Sequence, residues 1–361
     1  MLNPKINLKE PDMVFYRDRL INLVSSISLL AITTCLVVGQ SVTQQSLAQT
    51  SKNLGNGEGA TSVTALFAGL KTAAPDIKFT YTPNSSTLGL KAFFTQKPSP
   101  GAPSPINFAD SDDPVAGTET VTGGRGYVQV PVVGIGITLA YNATGLTIPA
   151  SGIKLSPASY CGILNGSIKN WNDKSISADN DGQIALNVPI KVVRRADSSG
   201  STFILSSHLN TVCKTPGVPA ANVWKNGVGT IVDWPSTFIG ATGGGGVATA
   251  ITSNKGAIGY VDNATRLTKK LPAAVLRNKA GKYVPVSPAA ITAAIKDGTV
   301  VTYGTNKKLT RIDNLTNPSS ASAYPISGAT YLLYYSGETG FQDFIKAANA
   351  LAPSLGYGPL P

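Results

Sequence analysis

Val193-Arg194-Arg195-Ala196-Asp197-Ser198-Ser199-Gly200-Ser201-Thr202-Phe203 is the stretch whose reading decides the fold. A β-branched run, 190–193, enters it and a helical pattern, 201–209, leaves it. Hydroxylated residues and one glycine sit at the junction. The first amides of a helix lack internal partners and carry partial positive charge, so a strand–turn–helix with Ser-Gly-Ser at the turn suits an anion. Arg195 adds a planar, permanently charged fork that matches a tetrahedral oxyanion, and Asp197 stands where it can hold that guanidinium in place. The plainer alternative is a Ser N-cap beside a surface Arg–Asp pair.

Outward from this junction, short strand-like runs at 77–81, 126–131 and 136–141 alternate with helical patterns at 63–73 and 340–351. Such alternation implies α/β layers rather than an all-β sandwich. The 37 Gly and 24 Pro argue for many turns and against an all-helical chain. A length of 361 residues suits about two domains, and 42% apolar residues supply a sizeable core. The four-glycine run 243–246 reads as a flexible loop opening a helix at 247–252. No repeat of fixed period is present. The net charge is +11, but Lys and Arg are scattered, in runs no longer than pairs such as Lys269-Lys270. That scatter argues against nucleic acid as a partner, while a positive field would help collect an anion.

Further candidates lie upstream. Gly57-Glu58-Gly59-Ala60-Thr61-Ser62 precedes a helical stretch and could form a second amide cradle; Asn84-Ser85-Ser86-Thr87 follows the 77–81 strand and could form a third. Each could equally be a plain turn. Ala109-Asp110-Ser111-Asp112-Asp113-Pro114 is an acidic cluster that could also be a solvated turn or part of a calcium loop, although the closing Glu of such a loop is missing.

Arg17 and Arg19 precede an apolar core, 20–39, and Ser46-Leu47-Ala48 places small residues at the −3 and −1 positions. These are the parts of a secretory signal peptide, with cleavage expected after Ala48. An uncleaved anchor and lipidation at Cys35 are the alternatives; Ile32-Thr33-Thr34 fits a lipobox poorly. Removal of the leader leaves Cys161 and Cys213, an even count that suggests one disulfide in an exported chain, with two buried thiols as the alternative. A bridge would close a loop of about 50 residues, contributing ~3–4 kcal/mol.

Taken together, these segments resemble the phosphate-binding proteins of phosphate-specific ABC transporters. The 106–114 stretch resembles their F-G-x-S-D-x-P segment, and Arg195-Ala196-Asp197-Ser198-Ser199-Gly200-Ser201-Thr202 their R-S-D-x-S-G-T segment. Gly59-Ala60-Thr61 matches G-A-T. Val130-Pro131-Val132-Val133-Gly134 and Gly256-Ala257-Ile258-Gly259-Tyr260-Val261 resemble the two crossings between lobes. Ala323-Tyr324-Pro325-Ile326 and the last six residues also fit, and the cysteine positions look like the DING branch.

The resemblance implies a two-lobed periplasmic-binding-protein fold of type II. Each lobe is a mixed sheet flanked by helices, and the ligand sits in the inter-lobe cleft. Lobe 1 is expected over 49–132 and 260–361, and lobe 2 over 133–259. The phosphate ligands implied are Thr61, Ser62, Ser86, Asp112, Arg195, Ser199, Gly200 and Ser201, with Asp197 supporting Arg195; the registers of Thr61 and Ser86 rest on the loosest matches. No cofactor or metal is implied. The expected partners are inorganic phosphate, arsenate as its analogue, and the membrane permease subunits of an ABC importer. The chain is expected to be a periplasmic or extracellular monomer. The rival classes are an exported phosphatase and a scavenging or adhesion module without an importer. A phosphatase needs a nucleophile with a base, or a metal pair. The chain has one histidine, His208, and no G-x-S-x-G elbow.

Overall fold

The computed structural model describes residues 51–183 and 187–361. The leader expected over 1–48, its cleavage point and Cys35 lie outside the described residues.

Strand β1 (Lys52–Gly59) leads into α1 (Thr64–Ala73), whose Leu66, Phe67 and Leu70 recur at helical spacing and are buried. Next come β2 (Ile77–Pro83), α2 (Ser86–Thr95), β3 (Ile106–Ser111) and the long β4 (Tyr127–Tyr141). The chain continues through β5 (Lys154–Leu155), α3 (Pro157–Asn165), α4 (Lys174–Asp179), β6 (Lys191–Arg195) and α5 (Gly200–Val212). Then follow β7 (Ile239–Ala241), α6 (Gly243–Ser253), β8 (Ala257–Asp262) and α7 (Asn263–Thr268). The ribbon of β9 (Val275–Arg277) and β10 (Tyr283–Val284) precedes α8 (Pro288–Lys296). The hairpin of β11 (Thr299–Tyr303) and β12 (Leu309–Asp313), then β13 (Ser327–Tyr335) and α9 (Phe341–Leu355), complete the fold.

The strands follow one path, β2-β1-β3-β13-β4-β8-β6-β7. Strand β4 joins its two halves. Residues 127–136 pair antiparallel with β13, and 137–141 pair antiparallel with β8. The sequence suggests two strands here, 126–131 and 136–141; they are one. Pro131 cannot donate to a ladder, and the register shift between Thr330 and Tyr331 opposite it is the irregularity that lets the strand continue. Strands β1, β2 and β3 are mutually parallel, as are β6, β7 and β8, so each half of the path has its own set of carboxyl ends. This is a two-lobed mixed α/β fold.

The lobe division expected at 259/260 falls inside β8. Strand β9 also pairs in parallel with β5, so 275–284 share a small sheet with 154–155. In the first half of the core, Phe67, Phe79, Phe108 and Phe344 meet mostly edge-on. In the second, Trp234 lies against Trp224 and Tyr260. Among the described residues, no helix is long and apolar enough to cross a membrane.

Candidate functional site

Every candidate loop follows the carboxyl end of a parallel strand, where α/β sheets place ligands. Thr61 and Ser62 follow β1, Ser85 and Ser86 follow β2, and Asp112 follows β3. From the other half, Asp197 to Ser201 follow β6, and Gly243 follows β7. The topology therefore brings all the sequence-derived residues to one cleft.

Arg195 is the last residue of β6 and is 4% exposed. Its Nε and Nη2 donate to the two carboxylate oxygens of Asp197, at 2.7 and 2.5 Å. Its Nη1 donates to Ser199 Oγ at 2.7 Å and, across the cleft, to Thr61 Oγ1 at 3.3 Å. Burial pushes the Asp197 carboxyl upward, but hydrogen bonds from Arg195, its charge and the Gly243 amide outweigh that and hold it below the usual range. The expected support of Arg195 by Asp197 is thus a bidentate fork with its own second anchor. Arg194 points elsewhere: it is half-buried, and its Nη1 donates to the Arg195 carbonyl at 3.1 Å.

Ser199 caps α5, its hydroxyl accepting from the Thr202 amide. The amides of Gly200 and Ser201, the first two of that helix, have no partner among the described residues. Asp112 faces them and is 2% exposed. It accepts from Ser62 Oγ at 2.7 Å and Ser201 Oγ at 3.4 Å, and its own amide donates to Ser86 Oγ at 3.2 Å. Burial raises its carboxyl to about 6, against the Ser62 and Thr330 hydroxyls and the Arg195 charge, which pull it down. The adjoining acids also sit high. Burial and the Asp112 charge raise Asp110 and Asp113, the latter to about 6. Asp110 takes the Thr330 hydroxyl at 2.6 Å on one oxygen, and its other oxygen is buried without a partner among the described residues. Among the described residues, no group of three or more His, Cys, Asp or Glu is arranged to hold a metal ion.

Some cleft residues were not singled out in the sequence. The four glycines are not a loop: they form the first turn of α6, and Gly243 and Gly244 turn their amides onto Asp197 Oδ1 (3.1 Å) and Thr61 Oγ1 (3.4 Å). Gly243 sits at φ +69, a conformation that favours glycine. Four glycines before an apolar helical run could have been read as a helix start with close backbone approach. Tyr260 Oη joins Thr202 Oγ1 at 2.6 Å and takes the Arg195 amide at 3.1 Å. Ser85 Oγ and Ser198 Oγ touch across the cleft at 3.1 Å.

Three residues named for other reasons are structural. His208 is buried in α5 between the Tyr160 hydroxyl (3.0 Å) and the Thr316 carbonyl (2.8 Å), and burial lowers it to about 4. Cys161 in α3 is joined to Cys213, the C-cap of α5, by a disulfide.

A buried Arg–Asp fork and two free helix amides facing a carboxylate, at a cleft between two parallel strand sets sharing one long strand, define the two-lobed solute-binding class. The chain belongs to the family described as the PBP superfamily domain, which matches residues 43–349. Within it, the chain stands with proteins named phosphate-binding protein PstS. That of Pasteurella multocida is 31% identical over 271 residues, covering 71% of this chain and 73% of that protein. That of Xylella fastidiosa (strain 9a5c) is 31% identical over 230 residues, 63% of this chain. The chain spans 58% of the length of the Xylella protein. One relative, from Pseudomonas aeruginosa, is named alkaline phosphatase L; it is 27% identical over 64% of this chain and 60% of that protein. Among solved structures, a high-affinity periplasmic phosphate-binding protein called PfluDING, bound with phosphate, matches with a TM-score of 0.64 at 23% identity. The match covers 86% of this chain and 91% of that one. A phosphate-binding protein from Stenotrophomonas maltophilia matches with a TM-score of 0.61 at 22% identity, over 85% and 90%. These likenesses establish the fold.

Proposed function

We propose that the chain captures inorganic phosphate in this cleft, outside the cytoplasmic membrane, and delivers it to the permease subunits of an ABC importer. The observation that carries the reading is the opposition of Asp112 to Arg195 and the free amides of α5. Phosphate near neutral pH is an anion that still bears a proton. The guanidinium and amides take its charge, and the Asp112 carboxylate accepts a hydrogen bond from its O–H. Thr61, Ser62, Ser86, Ser199, Gly200 and Ser201 supply the remaining hydroxyls and amides, and Asp197 orients Arg195. The lobes are 49–132 with the C-terminal part, and a middle part beginning at 133. The pairing of β9 with β5 favours a return to lobe 1 after Val284 rather than at 260. A ligand between the lobes stabilises the closed form by its differential affinity for it.

The leader motif and the periplasmic location of the structurally similar PfluDING protein support export, and a monomer without cofactor suffices for the role. The name of one relative favours phosphatase activity as a second reading. Against it, the one histidine is neutral, buried and bonded on both ring nitrogens. Titration calorimetry with phosphate, arsenate and sulfate tests the first reading. Phosphate and arsenate should bind with one-to-one stoichiometry, and sulfate should be weaker by ~10⁴-fold or more. Sulfate within tenfold of phosphate overturns the role of Asp112. Release of phosphate from p-nitrophenyl phosphate above the uncatalysed rate would favour the second reading.

A further inference from the structure

Away from the cleft, close to the disulfide, lies a cavity of about 360 Å³ formed by the start of α3, the 215–218 turn and the β9–β10 turn. Its only charged lining residues are Arg277 and Lys279, and neither forms an ion pair among the described residues. Ser156, the N-cap of α3, lines it and is 6% exposed, yet its hydroxyl makes no cap bond and has no partner among the described residues. An N-cap serine ordinarily gives that oxygen to the second or third amide of its helix. Pro157 has no N–H, so the Ala158 amide is the first of α3, and it too has no acceptor among the described residues. The Asp179 carboxylate, beside Ser156, is turned to other donors. Asp179 accepts from the Ser156 amide (2.7 Å), Ser159 Oγ (2.5 Å) and the Tyr283 hydroxyl (2.8 Å).

A helix start, two cations, a free amide and the unpartnered hydroxyl of a mostly buried serine all offer positive charge or donors to one space. We propose that this cavity is a second oxyanion site, distinct from the cleft, taking a sulfate-, phosphate- or carboxylate-sized group. Its chemistry differs from that of the cleft in one respect. No carboxylate lines it, so nothing there reads a proton on the anion, and sulfate and phosphate bind alike. The inference rests on no part of the cleft reading.

Sulfate and phosphate are titrated separately into the nitrogen-15-labelled chain, following the Ala158 amide resonance. At a pH about one and a half units above neutral, where phosphate like sulfate is mainly a dianion, both should give saturable shifts with affinities within about threefold of each other, since Coulomb attraction to two like-charged oxyanions is similar. Arg277→Ala with Lys279→Ala should weaken both about tenfold, and Ser156→Ala should weaken both by a few-fold. Arg195→Ala, which alters the cleft, should leave this titration unchanged. A shift that rises linearly without saturating overturns the site. So does an affinity indifferent to the paired substitution, a preference for phosphate above tenfold, or loss of the Ala158 response in the Arg195 variant.

Discussion

A Cβ placed on Gly200 would lie 2.4 Å from Ser86 Oγ, and 2.5 Å from the Asp112 Cβ. Gly200 opens α5 on one side of the cleft; Ser86 opens α2 on the other. Neither contact leaves room for a methyl group.

The consequence is a variant that discriminates closure from folding. Gly200→Ala leaves each lobe's core untouched but obstructs their approach. Overpacking of this kind costs about 1–3 kcal/mol. Phosphate affinity should fall by about 5- to 100-fold, while the thermal midpoint without ligand stays within a degree or two. Calorimetry beside a thermal melt checks both. Unchanged affinity would mean that the ligand-bound form is more open than this arrangement.

The two neighbouring arginines form an internally controlled pair. Arg195→Ala removes a charge-assisted contact from a buried site, worth about 1.5–3 kcal/mol, so affinity should drop roughly 10- to 100-fold. Lysine at 195 should restore only part, because an ammonium keeps the charge but cannot fork onto Asp197. Arg194→Ala loses the same formal charge at a side chain that bonds only a carbonyl outside the cleft, and should cost under ~0.5 kcal/mol. Equal losses would mean that bulk electrostatics, not the Arg195 fork, attract the anion.

Anion selectivity should depend on pH through Asp112. Its carboxyl stands at about 6 in the unliganded chain. Above that value it is an acceptor and faces a bare sulfate oxygen lone pair to lone pair. Below it, the protonated carboxyl can donate to sulfate. Competition by sulfate against phosphate should therefore strengthen as pH falls from 7.5 to 5. Asp112→Asn, which donates at every pH, should abolish that dependence. A selectivity ratio flat with pH in both proteins counts against the assignment.

The α/β class, the Arg195–Asp197 fork and the helix start at Ser199 were legible because each is local. A strand run, a charge pair two residues apart and a capping serine lie within one short stretch. The registers of the Thr61 and Ser86 loops were harder, since what fixes them is contact of Ser62 and Ser86 with Asp112, 50 and 26 residues away. The glycine run misled because propensity argues against glycine in a helix, whereas here the close approach of the Gly243 and Gly244 amides to Asp197 and Thr61 offsets that preference. The continuity of β4 was hidden by Pro131, whose missing donor falls beside a bulge in β4 itself, with Val132 the extra residue between Pro131 and Val133. The β5–β9 pairing, which bears on where the chain returns to the first lobe, joins segments about 120 residues apart, beyond what local patterning can report.

The last prediction concerns Asp110. Its carboxyl is fully buried beside Asp112, one oxygen takes the Thr330 hydroxyl, and the other has no partner among the described residues. Burial first, and then the Asp112 charge, raise it well above the ordinary range. A carboxyl raised on folding binds its proton more tightly in the native state. Its stabilising contribution is therefore complete below the unfolded value near 4 and is lost as pH rises toward the folded one. Asp110→Asn keeps an oxygen for Thr330 and has no proton to lose. The variant should match the parent near pH 4 and exceed it by a margin that grows as pH rises to 8. Asp113 and Asp262, each raised to about 6 by burial, are present in both proteins and cancel in the difference to first order. Denaturant unfolding at pH 4, 6 and 8 measures that difference. A value that stays flat or falls with pH would show that burial does not hold Asp110 protonated in the native chain.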